Sequence, residues 1–281
     1  MRLFLAQFQG ELRKLFARKR TFIGFGVFLA FEFLILFLLR LERVQASFRR
    51  VVENAGYGSG DYFSGLTIGF LVVVWTVFLL EALFLALVAG DIVSKEVEDG
   101  SLRMMLCRPV SRGRILWLKG IVSVFYTFVL TGFVMFTALI VGFTYKGFGA
   151  LFVYEPFEKV FALHEFWPGL FRYLASFPLL SLSLCTITAL AFCLSCFNMK
   201  PSTATIITLS VLFADTILKN VPFFESISEY FVTRRMSVWV HVFDPRIPWE
   251  MMLENYAWLA GINATLFLIG WLVFEQRDFK S

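Results

Sequence analysis

Charged residues are scarce in this chain of 281 residues, and their scarcity decides its class. They make up 17% of the sequence, while apolar residues make up 58%. Soluble domains carry about 25% charged residues, because polar groups must cover their surface. Phenylalanine alone fills 36 positions, mostly in runs too long for one soluble core. A soluble fold is therefore excluded, and we expect an integral membrane protein.

Several kinds of chemistry also lack their usual residues. The chain has 2 histidines, and neither His164 nor His241 stands at a metal-binding or catalytic spacing. Cys193 and Cys196 form a C-x-x-C within a helix, but membrane cysteines usually act as small hydrophobic residues. We predict neither a metal site nor a catalytic site. The sequence also has no G-x-x-x-x-G-K-[ST] motif, so the chain cannot hold ATP through a phosphate loop.

The apolar runs predict the transmembrane architecture. Crossing a hydrocarbon core of about 30 Å takes roughly 20 mainly apolar residues in a helix. Six runs meet this requirement, at 21–40, 66–90, 115–143, 168–196, 203–219 and 256–274. We therefore predict an all-α integral membrane protein with six transmembrane helices, which form a single transmembrane domain over residues 1–281.

Basic residues predict the sidedness of these spans. Lysine and arginine cluster at 13–20 and again at 95–119. With six spans, both termini share one side with the 91–114 loop and the 197–202 turn. The positive-inside rule assigns that side to the cytoplasm, and we expect a prokaryotic cytoplasmic membrane. The net charge of +5 then belongs to loops that face lipid head groups, not to a nucleic-acid surface.

The first twenty residues predict an amphipathic helix that lies along the inner leaflet. Its apolar face consists of Leu5, Phe8, Leu12, Leu15 and Phe16. The basic residues lie mostly elsewhere on the helix, where they face anionic lipid. The helix is either a membrane anchor alone or also a surface that contacts a cytoplasmic partner.

The loop at 91–114, which we call the elbow, carries the most specific pattern. Ser101 is placed to cap a short helix, and Pro109 ends that helix, because the residue before proline avoids helical angles. The predicted apolar edge of this helix consists of Leu102, Met105 and Leu106. Such an elbow between two membrane helices suits docking into a groove on a soluble protein.

The elbow resembles the cytoplasmic loop of type-2 ABC transporter permeases. The matching residues, in order, are Glu96, Glu98, Gly100, Ser101, Leu102, Leu106, Pro109-Val110-Ser111-Arg112 and Lys119. Ser101 stands where the family has threonine, and Gly120 follows Lys119 instead of preceding it. Arg103 and Met104 stand where the family commonly has an acidic residue.

The resemblance implies a permease subunit of an ATP-driven exporter that works by alternating access on an unidentified substrate. It also implies two separate ATP-binding subunits that carry ATP and magnesium, no cofactor in this chain, and a second permease copy or a related chain. The elbow would then be the coupling helix between spans two and three. Its contacts would be Glu96, Glu98, Gly100, Ser101, Leu102, Leu106, Pro109 and Arg112.

Three acidic residues lie within the predicted spans. Buried acids in membrane helices are costly and usually face a bundle interior or water. Glu32 and Glu81 are candidates for the translocation path, and the alternative for each is a hydrogen-bonded packing residue. Asp215 is placed to pair with Lys219 one turn later.

Two other functions are compatible with the sequence. A non-transporting subunit of an ABC-type complex, acting on an envelope protein, would show the same pattern. A secondary transporter independent of ATP would need chains of intramembrane charges or broken helices, whereas only isolated acids are visible.

Overall fold

Long apolar helices dominate the fold. The structure is a computed structural model, and it describes residues 2–46, 50, 63–106, 111–155, 158 and 160–277. Within these residues, five helices are long and apolar enough to cross a membrane. They are α2 (Lys19–Leu39), α6 (Arg112–Lys146), α7 (Phe166–Cys196), α8 (Pro201–Lys219) and α10 (Trp249–Gln276). The chain is therefore a multi-pass membrane protein.

The predicted second span, 66–90, has an interrupted form. It consists of α3 (Gly65–Thr76), a π-helical turn (Val77–Glu81) and α4 (Ala82–Glu98). The helical path is continuous, because the residues that flank the π turn keep right-handed helical angles. Neither α3 nor α4 meets the length and hydropathy of a span by itself. Five of the six predicted spans are confirmed by length and composition, and the second span, 66–90, stays a prediction.

Other helical segments, besides a short one at 42–46, lie at the N-terminus, in the elbow and between α8 and α10. They are α1 (Arg2–Ala17), α5 (Ser101–Leu106), a 3-10 helix (Pro222–Tyr230), α9 (Val232–Met236) and a second 3-10 helix (Ser237–Phe243). On α1, Leu15 is buried, and Phe8, Leu12 and Phe16 pack against the core. The apolar face of α1 thus rests on the bundle, whereas its position at a membrane surface stays a prediction.

One β-hairpin stands within the helical fold, and the predicted all-helical class is confirmed. Between α6 and α7, strands β1 (Leu151–Glu155) and β2 (Val160–His164) pair antiparallel. Their β-branched and aromatic residues favour extended chain. The backbone N–H of Phe152 donates to the Thr67 hydroxyl at 2.9 Å, so the hairpin is fastened to the start of α3.

Glycines allow α3 and α6 to approach closely. A Cβ atom added at Gly142 would lie 2.1 Å from the carbonyl oxygen of Gly65, and one added at Gly65 would lie 2.4 Å from that of Gly147. Small residues are the usual means by which membrane helices pack backbone to backbone. The predicted second span, which leads into the elbow through α4, is therefore in direct contact with α6 far from the elbow.

The segments predicted to share one side of the membrane lie at the same end of the bundle. The Lys119 ammonium contacts Glu11 on α1, and the Arg277 guanidinium donates to the carbonyl of Phe197 at 3.0 Å. The elbow, both ends of the described chain and the 197–200 turn thus form one end, which we call the basal end. The hairpin and the 3-10 helices form the other, distal end, where Arg172 donates to the carbonyl of Val242 at 2.8 Å.

Candidate functional site

The elbow reverses the chain at Gly100. This glycine has a φ of +71°, in the left-handed region that side chains disfavour. Its N–H donates to the carbonyl of Val97 at 3.1 Å, and the N–H of Asp99 donates to that of Lys95 at 2.9 Å. These bonds end α4 in the manner of a glycine C-cap. The glycine ends α4, and α5 begins at the next residue, Ser101.

The elbow residues named from the sequence divide into two groups. Glu96 and Leu102 point inward and are buried, at 5% and 0% exposure. Glu98 is exposed, and so is the neighbouring Met104 at 70%. The hydroxyl of Ser101 donates to the carbonyl of Glu96 at 3.3 Å, so it fastens α5 to the end of α4.

Of the other three elbow residues named from the sequence, two lie within the described structure and one does not. Leu106 is the last residue of α5, and Pro109 lies outside the described residues. The Arg112 guanidinium donates to the carbonyls of Glu275 at 3.0 Å and Arg277 at 2.9 Å. Arg112 therefore ties the start of α6 to the end of α10.

Behind the elbow lies an ion cluster of five residues, Glu11, Lys14, Arg18, Glu96 and Lys119. The Lys119 side chain is fully buried, and its Nζ lies 2.8 Å from Glu96 Oε2 and 2.9 Å from Glu11 Oε2. Lys14 Nζ lies 2.6 Å from Glu11 Oε1, and both Lys14 and Arg18 approach Glu96 Oε1 at 3.9 Å. The cluster joins α1, α4 and α6 at one point.

The two close carboxylates compensate for the burial of Lys119. Removing an ammonium group from water costs several kcal/mol unless charged partners and hydrogen bonds replace the lost solvent. Besides its two carboxylates, the Lys119 ammonium donates to the carbonyl of Ile92 at 3.3 Å. Burial alone would raise the pKa of Glu11, but the charges of Lys119 and Lys14 outweigh it and lower that pKa below the ordinary 4.5.

Sequence reasoning did not identify this cluster, although a signal was present. Glu11 is the one acidic residue in the basic N-terminal helix, and Lys119 is a single cation in the apolar run that opens the third span. A lone charge in an apolar run points to a partner elsewhere. What the sequence did not reveal was the pairing itself, which joins residues 108 positions apart.

The two acids inside the spans both face threonines of α6. The Glu81 carboxylate accepts from the Thr131 hydroxyl at 2.5 Å, and the Glu32 carboxylate accepts from the Thr137 hydroxyl at 2.8 Å. Both glutamates are fully buried. The second oxygen of each has no hydrogen-bond partner among the described residues.

Glu81 also ends the π-helical turn, a feature that occurs frequently at functional sites. On α6, polar side chains recur every four residues towards it, at Lys119, Ser123, Thr127 and Thr131, all of them buried. The Thr127 hydroxyl also bonds that of Thr188 on α7 at 2.7 Å. A buried polar stripe therefore leads from the ion cluster to Glu81.

The third membrane acid has a different partner from the one expected. Asp215 accepts from the backbone N–H of Thr233 at 2.7 Å and from its hydroxyl at 2.6 Å. The N–H of Val232 donates to the same carboxylate at 3.3 Å. The prediction that Asp215 pairs with Lys219 is therefore corrected, because the unsatisfied N–H groups at the start of α9 take the carboxylate as a cap.

Comparison with known protein families identifies the family of the chain. A family model described as ABC-2 family transporter protein matches residues 8–230. The match includes the elbow, the ion cluster and all three membrane acids, and it ends before α10. A search of curated proteins found no match.

Proposed function

Because the chain belongs to the ABC-2 family of transporter proteins, and is thus the membrane subunit of an ABC transporter, we propose that it is the permease of an ATP-driven exporter. The family implies an ABC ATP-binding subunit as partner. ATP and magnesium would be bound there, and this chain would supply the membrane passage and the surface that receives the ATPase.

The observation that carries this proposal is the exposed surface of the elbow. Met104 is 70% exposed, and Glu98 and Asp99, at the end of α4 just before the elbow turn, are also exposed. The buried Leu102 and Glu96 fix the opposite side of the elbow to the bundle. An exposed apolar side chain and exposed carboxylates on one elbow that is held firmly from behind suit a groove on a soluble partner that has basic residues at its rim.

The helices at the two ends of the elbow would transmit the motion. α6 has 35 residues, which correspond to about 50 Å of helix and exceed a hydrocarbon core of about 30 Å. On the other side, α4 leads through the π-helical turn to α3, and α3 packs against α6 at Gly65 and Gly142. Movement of the elbow would therefore displace the basal ends of both α4 and α6.

The proposed passage runs between two permease copies, or between this chain and a related one. Support comes from α8 and α10, each with only 17% of its apolar window buried inside the protein. Such helices need lipid or a further membrane subunit as neighbour. Glu32 and Glu81, with the polar stripe on α6, would provide the polar groups near the passage. By family likeness transport is directed outward, with both termini in the cytoplasm.

Affinity purification in mild detergent tests the proposed partner. The tagged chain should retain a protein with a Walker ATPase motif, and the isolated complex should hydrolyse ATP. Glu98→Lys and Met104→Glu should each lose that protein without lowering the amount of chain in the membrane. Glu250→Lys, at an exposed distal position, is the matched control and should retain it. Loss of the ATPase from the control alone, or its absence from every preparation, would contradict the proposal.

A further inference from the structure

The N-terminal helix α1 is joined to the elbow by charge as well as by apolar contact. Glu11 is held by Lys119, which also holds Glu96 at the base of the elbow. Lys14 Nζ lies 3.4 Å from the sulfur of Met105 on α5. Since Lys119 is fully buried between the two carboxylates, α1 cannot leave the elbow without exposing or unpairing a buried charge.

Apolar contacts add to this connection on the α6 side. The rings of Phe8 and Phe125 meet edge to face with their centroids 6.0 Å apart, and those of Phe16 and Tyr126 lie 6.3 Å apart. Aromatic pairs of this kind prefer a limited set of orientations. The register of α1 along α6 is therefore fixed by rings as well as by ions.

At its other end, α1 passes into the first span with almost no intervening chain. Only Arg18 separates α1 from α2, and it is extended, with φ −71° and ψ 125°. The Thr21 hydroxyl, at the start of α2, donates to the carbonyl of Leu15 on α1 at 2.8 Å. A displacement of α1 must therefore displace the basal end of α2.

The first span itself is lightly held. Only 33% of its apolar window is buried, and Phe22, Phe33 and Phe37 are each at least 60% exposed. Its contacts with α6 include the edge-to-face pair of Phe25 with Phe133, at 4.8 Å between centroids, and the bond from Thr137 to Glu32. Phe28 and Glu32 of α2 are fully buried, so moving α2 would disturb the packing of one of its faces and leave the exposed remainder unaffected.

We propose that α1 is a third arm of the coupling device. Through Glu96, Lys119 and Glu11 the elbow carries α1 with it, and α1 moves the first span. Lys119 and Glu11 are positioning residues in this device. The inference rests on the proposed function, because the force on the elbow comes from the ATPase partner.

Distances between spin labels test whether α1 and the elbow move together. Cysteines replace Gln9 on α1, Met104 on α5 and Glu250 at the distal end, all of them exposed. Cys107 is changed to serine, and Cys185, Cys193 and Cys196 are buried. The labelled complex with its ATPase is measured in the ADP-bound state and in the state trapped with ADP and vanadate.

Two pairs of labels give separate answers. The Met104–Glu250 distance should change between the two states, because the elbow moves relative to the distal end. The Gln9–Met104 distance should stay constant in the wild-type background, because α1 moves with the elbow. Glu11→Gln leaves the Lys119–Glu96 pair in place but weakens its connection to α1, so the Gln9–Met104 distance should then change with state. The same substitution should lower ATP hydrolysis by the complex about fivefold or more, the usual size of a lost coupling.

Glu254→Gln, on the distal half of α10, is the matched control and should leave both distances and ATP hydrolysis unchanged. A Gln9–Met104 distance that changes in the wild type as much as the Met104–Glu250 distance would overturn the third arm while leaving the proposed function in place. A constant Gln9–Met104 distance in Glu11→Gln would also overturn it. A Met104–Glu250 distance that never changes would instead refute the coupling role of the elbow, and the third arm with it.

Discussion

Replacing Lys119 with methionine should be among the most damaging single substitutions at the basal end. The side chain is fully buried, and its ammonium lies within 3 Å of one oxygen each of Glu11 and Glu96. Methionine keeps the volume of the lysine stem but leaves two largely buried carboxylates without their main partner. Breaking a buried ion pair from one side costs about 3–5 kcal/mol, because the remaining charge is uncompensated.

A graded set of variants separates charge from packing. Lys119→Arg keeps the charge and should cost much less than Lys119→Met. The double variant Lys119→Met with Glu96→Gln removes one of the orphaned carboxylates and should recover part of the loss. Lys14→Met tests an exposed member of the same cluster, 47% exposed in its side chain, and should cost about 0.2–1 kcal/mol, as exposed ion pairs do.

The free energy of unfolding of each variant can be measured in mixed micelles by titration with a denaturing detergent. The 7 tryptophans of the chain provide the fluorescence signal. The double variant and its two single variants form a cycle that gives the Lys119–Glu96 interaction energy, expected at about 0.5–3 kcal/mol for residues in contact. If Lys119→Met costs no more than Lys14→Met, the ion cluster does not hold α1, α4 and α6 together.

Three further predictions concern other parts of the chain. Gly100→Ala should lower the free energy of unfolding by about 1–2 kcal/mol through left-handed strain alone, because no described atom lies within 4 Å of the added carbon; equal stability in a denaturation series would contradict the cap. Glu81→Gln should leave the free energy of unfolding unchanged or raise it, because it removes a buried carboxylate. Glu81→Leu should lower the free energy of unfolding by about 1–3 kcal/mol, since the Thr131 hydroxyl loses its acceptor. The same denaturation series compares the two variants. Burial lowers the pKa of His164 below its ordinary 6.5, so the folded state binds fewer protons than the unfolded state, and stability should fall as the pH drops below 6.5. In His164→Gln this part of the pH dependence should vanish from thermal unfolding curves, and a dependence that persists unchanged would assign it to another group.

The spans and the elbow could be predicted because each rests on a local pattern. An apolar run of about 20 residues has few structures open to it other than a membrane helix, and α2, α6, α7, α8 and α10 follow such runs. The elbow was visible because Gly100 stands between a charged segment and an apolar one. The predicted sidedness grouped both termini with the elbow and the 197–202 turn, and in the structure the ends of the described chain, the elbow and the 197–200 turn lie at one end of the bundle.

What the sequence did not predict depends on contacts between distant segments. The hairpin at 151–164 has an apolar and aromatic composition like that of its surroundings. Its β-structure depends on the pairing of its two strands and on hydrogen bonds to Thr67, which the composition does not reveal. Asp215 accepts from the backbone N–H groups at the start of α9 and does not pair with the nearby Lys219. Free N–H groups at a helix start compete with cations for a carboxylate. The π-helical turn before Ala82 interrupts the predicted second span without any breaking residue in the sequence.

Cross-linking from the elbow tests the central claim most directly. A photoreactive label on Met104→Cys, in a Cys107→Ser background, should form an adduct with the ATP-binding subunit in the membrane. The same label on Phe223→Cys, which is 84% exposed at the distal end, should form none. An adduct from Phe223→Cys together with none from Met104→Cys would place the ATPase at the wrong end of the bundle and contradict the account.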